Sequence, residues 1–165
     1  MTGAYMSRAA AGLFALIVIA ACGERTTEAQ APADTSSGAE APLTQLASDP
    51  ALQWGPCPDI FPAGCEITVL HGDPAQPNAD VFLRVPGGYA IPPHSHTSAE
   101  RMILVSGELN VHYQGADPVT LTAGEYAYGP AGLPHDATCV GAQPCTLFIA
   151  FVGPVDAIAH EGAIE

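Results

Sequence analysis

His94 and His96 are separated by one residue. On an extended strand, residues i and i+2 point to the same face, so both imidazoles can reach one ion. Pro92 and Pro93, just ahead, favour extended backbone and stiffen the approach. Glu100 follows after Thr97-Ser98-Ala99, a small polar stretch suited to a bend that returns a carboxylate beside the two histidines. His135 lies far along the chain and must be brought back by closure of the fold. Three imidazoles and one carboxylate suit Zn, Cu, Fe, Mn or Ni. Alone, a His-x-His pair is a weak signal, because two histidines at a strand edge are more often solvated than ligating.

Other reactive side chains have plainer uses. Tyr113, Tyr126 and Tyr128 can offer a phenol, but core packing with a satisfied hydroxyl is the simpler expectation. Arg84 can hold an anionic substrate, with a surface ion pair as the simpler role. His71, His112 and His160 are expected to stay outside the ligand set, and Trp54 to pack as a plug on the domain.

The elements that must position the histidines are short strands. Glu66–His71, Val81–Val85, Arg101–Ser106, Leu109–Tyr113, Glu125–Tyr128, Asp136–Val140 and Thr146–Val152 are predicted strands. Gly/Pro/Asp clusters such as Gly72-Asp73-Pro74, Gly115-Ala116-Asp117-Pro118 and Gly141-Ala142-Gln143-Pro144 punctuate them. With no amphipathic helix between them, the pattern is an antiparallel all-β sandwich or barrel from about Ala51 onward. Composition agrees, with 17 Gly, 16 Pro and only 13% charged residues in 165.

Charge excludes several functions. Four Lys plus Arg stand against 17 Asp plus Glu, for a net charge of −13, and no Lys occurs. Schiff-base chemistry and a P-loop lysine are ruled out. Nucleic acid is not an expected partner, since phosphate binding needs clustered cations. A basic amphipathic membrane helix is absent for the same reason.

The N-terminus has its own logic. Met1–Arg8 carries one positive charge, and Ala9–Ala20 is an apolar run too short to span a bilayer comfortably. The run ends in Ile19-Ala20-Ala21-Cys22, which resembles the lipobox of bacterial lipoproteins. The resemblance implies a signal peptide over 1–21 and lipidation of Cys22, with the protein exported and anchored to the periplasmic face of a membrane, the outer one in a Gram-negative cell. The membrane is then a partner through the lipid alone. Residues 22–50 read as a disordered tether, rich in Ala, Pro, Ser, Thr and Glu, with Leu43 and Leu46 able to start a short docking helix. Outside the cytoplasm, Cys57, Cys65, Cys139 and Cys145 suggest two disulfides with three connectivities, local pairing being simplest. The alternative is Cys139 as a thiolate ligand, since i+4 on a strand shares the face of His135.

Gly88, five residues, His94, one, His96, three, Glu100, six, Gly107 is a longer pattern. After a 16-residue gap come Gly124, five residues, Pro130, one, Gly132, two, His135. In order and spacing these positions resemble the two motifs of the cupin superfamily. The resemblance implies a single-domain double-stranded β-helix, or jelly-roll barrel, over 51–160, with His94, His96, Glu100 and His135 as ligands of one divalent transition metal. The motif's closing Asn is replaced by Cys139. Cupin relatives include dioxygenases, decarboxylases, isomerases and lyases, so the fold alone does not choose a reaction.

The expectation is therefore a metal-binding cupin lipoprotein acting on a small organic molecule. An oxygenase-like oxidoreductase acting on a small organic acid or phenolic compound is the favoured form. With Zn, the ion expected from export into the envelope, a Lewis-acid lyase or isomerase replaces it. The alternative is a non-catalytic module that binds or senses a small ligand through the metal. A homodimer is compatible with the sequence.

Overall fold

The structure is a computed structural model that describes residues 41–165. The expected signal peptide, the expected lipidation site Cys22 and the expected tether as far as residue 40 lie outside the described residues. Leu43–Glu165 form one compact unit.

Eleven strands run in chain order: β1 Gly55–Pro56, β2 Glu66–His71, β3 Asp80–Val85, β4 Ala90–Ser95, β5 Glu100–Ser106, β6 Glu108–Tyr113, β7 Val119–Thr122, β8 Tyr126–Gly129, β9 His135–Cys139, β10 Cys145–Phe151 and β11 Ile158–Ala159. They form two antiparallel sheets, one in the order β1-β2-β3-β10-β5-β8 and the other β11-β4-β9-β6-β7. No helix occurs among the described residues. The two sheets face each other as a jelly roll, and the interior between them is the core.

Strand alternation decides what points inward. In β10, Cys145, Leu147, Ile149 and Phe151 are buried while the residues between them are not. In β5 the inward positions are Glu100, Met102 and Leu104. In β9 they are His135, Ala137 and Cys139. The two polar strand starts in this phase, Glu100 and His135, thus enter an apolar interior by register alone. Leu104 and Leu109 are almost fully buried, and truncating either to Ala should cost about 2–5 kcal/mol.

Strand β4 breaks the alternation usefully. Its register against β9 shifts between Ile91 and His94, so both residues face inward although three positions apart. Pro92 and Pro93 occupy the irregular stretch, where a residue lacking an N–H forfeits no ladder bond.

Several sequence expectations need correction. Leu43 and Leu46 start no helix: they are exposed, on a chain that makes only isolated turns. Asp49 N–H donates to Leu46 C=O, but Pro50 restricts Asp49 to non-helical backbone and the turn stops there. Strands β1, β7 and β11 lie outside the predicted set, being short or weakly patterned, and so does β4, which carries His94 but ends at Ser95, before His96. Glu125 precedes β8, where its carboxylate accepts the Thr122 N–H at 2.5 Å.

The cysteines pair locally, Cys57 with Cys65 and Cys139 with Cys145. Cys139 is therefore not a thiolate ligand. The four motif glycines Gly88, Gly107, Gly124 and Gly132 all have positive φ. At Gly107 a Cβ would also meet Pro144 O at 2.6 Å, so a side chain is excluded twice over.

Candidate metal centre

The two sheets deliver the candidate ligands from opposite sides. His94 on β4 stands directly across from His135 on β9. His96 lies one residue beyond β4. Glu100 opens β5, in the other sheet, across from Gly129 of β8. The Gly132 N–H donates to the His96 carbonyl at 2.8 Å, tying the second motif's turn to the first motif's ligand segment.

The three imidazoles offer donor atoms within 4.8 Å of one another, and all three residues are buried. Glu100 is 2% exposed. One of its oxygens lies 3.2 Å from His135 Nε2 and the other 3.5 Å from His96 Nε2.

Backbone carbonyls fix the tautomers. His94 Nδ1 lies 2.8 Å from Pro92 C=O, His135 Nδ1 3.2 Å from Leu133 C=O, and His96 Nδ1 bonds to Asp156 C=O. A carbonyl can only accept, so each Nδ1 carries the hydrogen. In a neutral ring the lone pair is then on Nε2. This is the arrangement by which outer partners orient imidazole ligands.

Two atoms are left over. His96 Nε2 and Glu100 Oε1 are buried without a hydrogen-bond partner. The 3.2 Å approach of His135 to Glu100 Oε1 is close enough for charge attraction but is not aligned as a hydrogen bond. A buried polar atom without a partner normally costs about 1–3 kcal/mol. A cation between these donors would satisfy both, so the donor set fits a divalent metal ion. Gly129 makes room for the carboxylate, since a Cβ there would lie 2.8 Å from both Glu100 Cγ and Oε1.

The electrostatics follow from burial and mutual fields. Burial, then the fields of His135 and His96, push His94 down to about 4, against the Pro92 carbonyl and Glu100. Burial also disfavours charge on His135, but its contact with Glu100, the Glu100 field, the Leu133 carbonyl and Asp136 outweigh this and raise its pKa. Burial pushes Glu100 up, yet the three histidines together hold it below the ordinary carboxylate value.

The donors open onto a cavity of about 60 Å³. Its wall is almost wholly apolar, with Ile91, Met102, Val111, Leu147 and Ile149 from the strands. Phe61 meets His94 edge-on at 5.1 Å, and Phe151 meets His96 at 5.4 Å. Asp156 is the one ionisable wall residue besides the four candidate ligands. Its Oδ1 accepts the Thr97 N–H at 3.0 Å.

Other sequence expectations sort cleanly. Arg84 pairs with Glu66 at 2.7 Å and lies 4.0 Å above the Trp54 ring, away from the cavity wall. Tyr126 and Tyr128 are exposed. Tyr113 packs on His135 at 5.2 Å, but its hydroxyl is buried and unpartnered, contrary to the expected satisfied phenol. Burial, with the Glu100 and Tyr126 fields, raises its pKa. His71, His112 and His160 are not in the cluster. Sequence reasoning missed Gly129, Phe61 and Asp156. Only Gly129 carried a signal, as a glycine directly after a predicted strand.

Residues 81–151 match the cupin domain family. No curated protein matches the chain. Among solved structures, the DMSP lyase DddQ from Ruegeria pomeroyi is similar at 21% identity with a TM-score of 0.59, over 68% of this chain and 64% of that one. An RmlC-like cupin from Shewanella frigidimarina is similar at 21% identity and 0.52, over 67% and 87%. Oxalate oxidase is similar at 21% and 0.51, over 60% and 56%. This chain thus spans less than two thirds of the DMSP lyase and oxalate oxidase chains, and at such identities the likeness is one of fold. The family match and the two facing antiparallel sheets together support a cupin domain folded as a jelly roll.

Proposed function

We propose that the chain is a metal-dependent cupin of the cell envelope acting on a small organic molecule, with His94, His96, Glu100 and His135 as the ligands of one divalent ion. The observation that carries this is the pair of buried, unpartnered atoms, His96 Nε2 and Glu100 Oε1, among imidazoles whose Nδ1 atoms are already engaged. Zn is the proposed occupant because export loads the site outside cytosolic metal control, where Zn and Cu lead for nitrogen-rich donors. Bound there, Zn supplies Lewis-acid polarisation, which favours a lyase or isomerase over redox chemistry. The wall is apolar, and Asp156, whose backbone carbonyl holds His96 Nδ1 while its carboxylate accepts the Thr97 N–H, is the non-ligand acid of this reading. The lipid anchor at Cys22 belongs to the same proposal and is tested by mass spectrometry of the mature N-terminus in wild type and Cys22→Ser.

A second reading is ligand binding without turnover. It is favoured by the engagement of Asp156 with Thr97 and by the lack of any other acid or base on the wall. Elemental analysis of protein recovered without added metal tests the ligand set. His94→Ala, His96→Ala, Glu100→Ala and His135→Ala should each lose most bound metal. Full occupancy in Glu100→Ala and His135→Ala would refute the assignment. A substrate screen with wild type and Asp156→Asn separates the two readings. An enzyme loses turnover in the variant, whereas a binding module shows none in either protein.

A further inference from the structure

We infer that the ligand of this site is a small monoanion with an apolar body. The inference rests on the metal-site proposal and follows from what the cavity wall does not contain.

A divalent ion with three neutral imidazoles and one carboxylate carries a net charge of +1. One anionic oxygen neutralises it. A second anionic group would need another cation, and among the described residues the wall has none. The sequence contains no Lys. Among the described residues the arginines are Arg84 and Arg101. Arg84 is committed to Glu66 and Trp54. Arg101 is exposed on β5, out of phase with inward-facing Glu100 and Met102. The remaining wall is apolar apart from Asp156, which offers no positive charge to pair with a second anion. A second carboxylate would therefore be stripped of water against apolar side chains without a partner. A methylene chain in the same place is stabilised at each step. Phe61, held in the Cys57–Cys65 loop and seated edge-on against His94, bounds the space left for that chain.

The test uses the full-length chain, loaded with Zn and checked for one metal per chain by elemental analysis before and after titration. Calorimetry at pH 7.5 then compares acetate, propionate, butyrate and valerate with succinate and glutarate. Affinity should rise about three- to fourfold per methylene until the wall is met. Succinate should bind at least tenfold more weakly than butyrate, and glutarate than valerate. Phe61→Ala should keep its metal and extend the rise to longer acids. Succinate binding as tightly as butyrate, or a flat series on fully loaded protein, would overturn the inference while leaving the metal site standing. A wild-type chain that takes up no metal would overturn both.

Discussion

Replacing Gly129 with Ala should uncouple metal binding from folding. A Cβ at this position would lie 2.8 Å from Glu100 Cγ, 2.8 Å from Oε1 and 3.3 Å from the carboxyl carbon. Comfortable carbon contacts begin near about 3.5 Å, so the carboxylate must retreat by roughly 0.5–1 Å. For folding this is cheap. The obstructed atoms belong to a flexible side chain beside a cavity, and Ala at the last residue of β8 recovers up to about 0.5–1 kcal/mol of backbone entropy over Gly. Metal-free stability should therefore stay within about 1 kcal/mol of wild type. For an ion the same displacement is severe, since a carboxylate oxygen must sit about 2.0–2.2 Å away with a tolerance near 0.2 Å. The loss should be at least that of disturbing an outer-shell partner, about 10–100-fold in affinity. A 100-fold loss removes about 2.7 kcal/mol of the stabilisation that saturating metal confers. Chelator competition measures the affinity, and urea melts with and without metal measure the two stabilities. Adding Glu100→Asp to Gly129→Ala shortens the obstructed side chain and should recover part of the affinity, a coupling that a double-mutant cycle reads directly. Wild-type affinity in Gly129→Ala would show that Glu100 does not ligate the ion from this position.

Two further outcomes concern protons and the covalent loop. In metal-free protein His94 titrates at about 4 in the fold against an ordinary 6.5. Its contribution is fully present above about pH 6.5 and is lost as pH falls towards 4, on the order of 3 kcal/mol. His135, with its raised value, has the opposite sign: its contribution is present below 6.5 and lost as pH rises through its folded pKa. Urea melts of chelator-treated protein between pH 4 and 8 should show a smaller acid loss in His94→Ala than in wild type, Glu100 with its lowered pKa still contributing at the acid end, and an unchanged slope in that variant would refute the assignment. Removing the Cys57–Cys65 bridge by the double Ser substitution should cost about 2–3 kcal/mol through loop entropy. Its metal content should not change, because the candidate ligands lie on or beside β4, β5 and β9. Loss of metal in that variant would show that the loop braces the centre itself.

The candidate ligands were legible because their geometry is local or set by strand phase. His94 and His96 are two residues apart, and Glu100 shares its inward phase with Met102 and Leu104, which any half-buried strand enforces. The strand carrying His94 was harder to see whole. Pro92 and Pro93 occupy an irregular stretch that resets the inward phase between Ile91 and His94, which a period-two pattern cannot express. The walls were not legible for a different reason. Phe61 reaches His94 from a disulfide loop, and Asp156 reaches His96 from a separation of 60 residues, through a backbone carbonyl that any side chain could have carried. No periodicity or residue type announces such contacts. Leu43 and Leu46 misled because apolar spacing invites a helix that Pro50 then forbids. The separation has a chemical consequence. The donors that would fix an ion come from both sheets, at positions the barrel's own register imposes. The surfaces that would select a ligand come largely from segments outside that register. A barrel of this kind can therefore keep one ion and change its ligand by altering Phe61, Asp156 and their loops, while the ligating strands stay as they are.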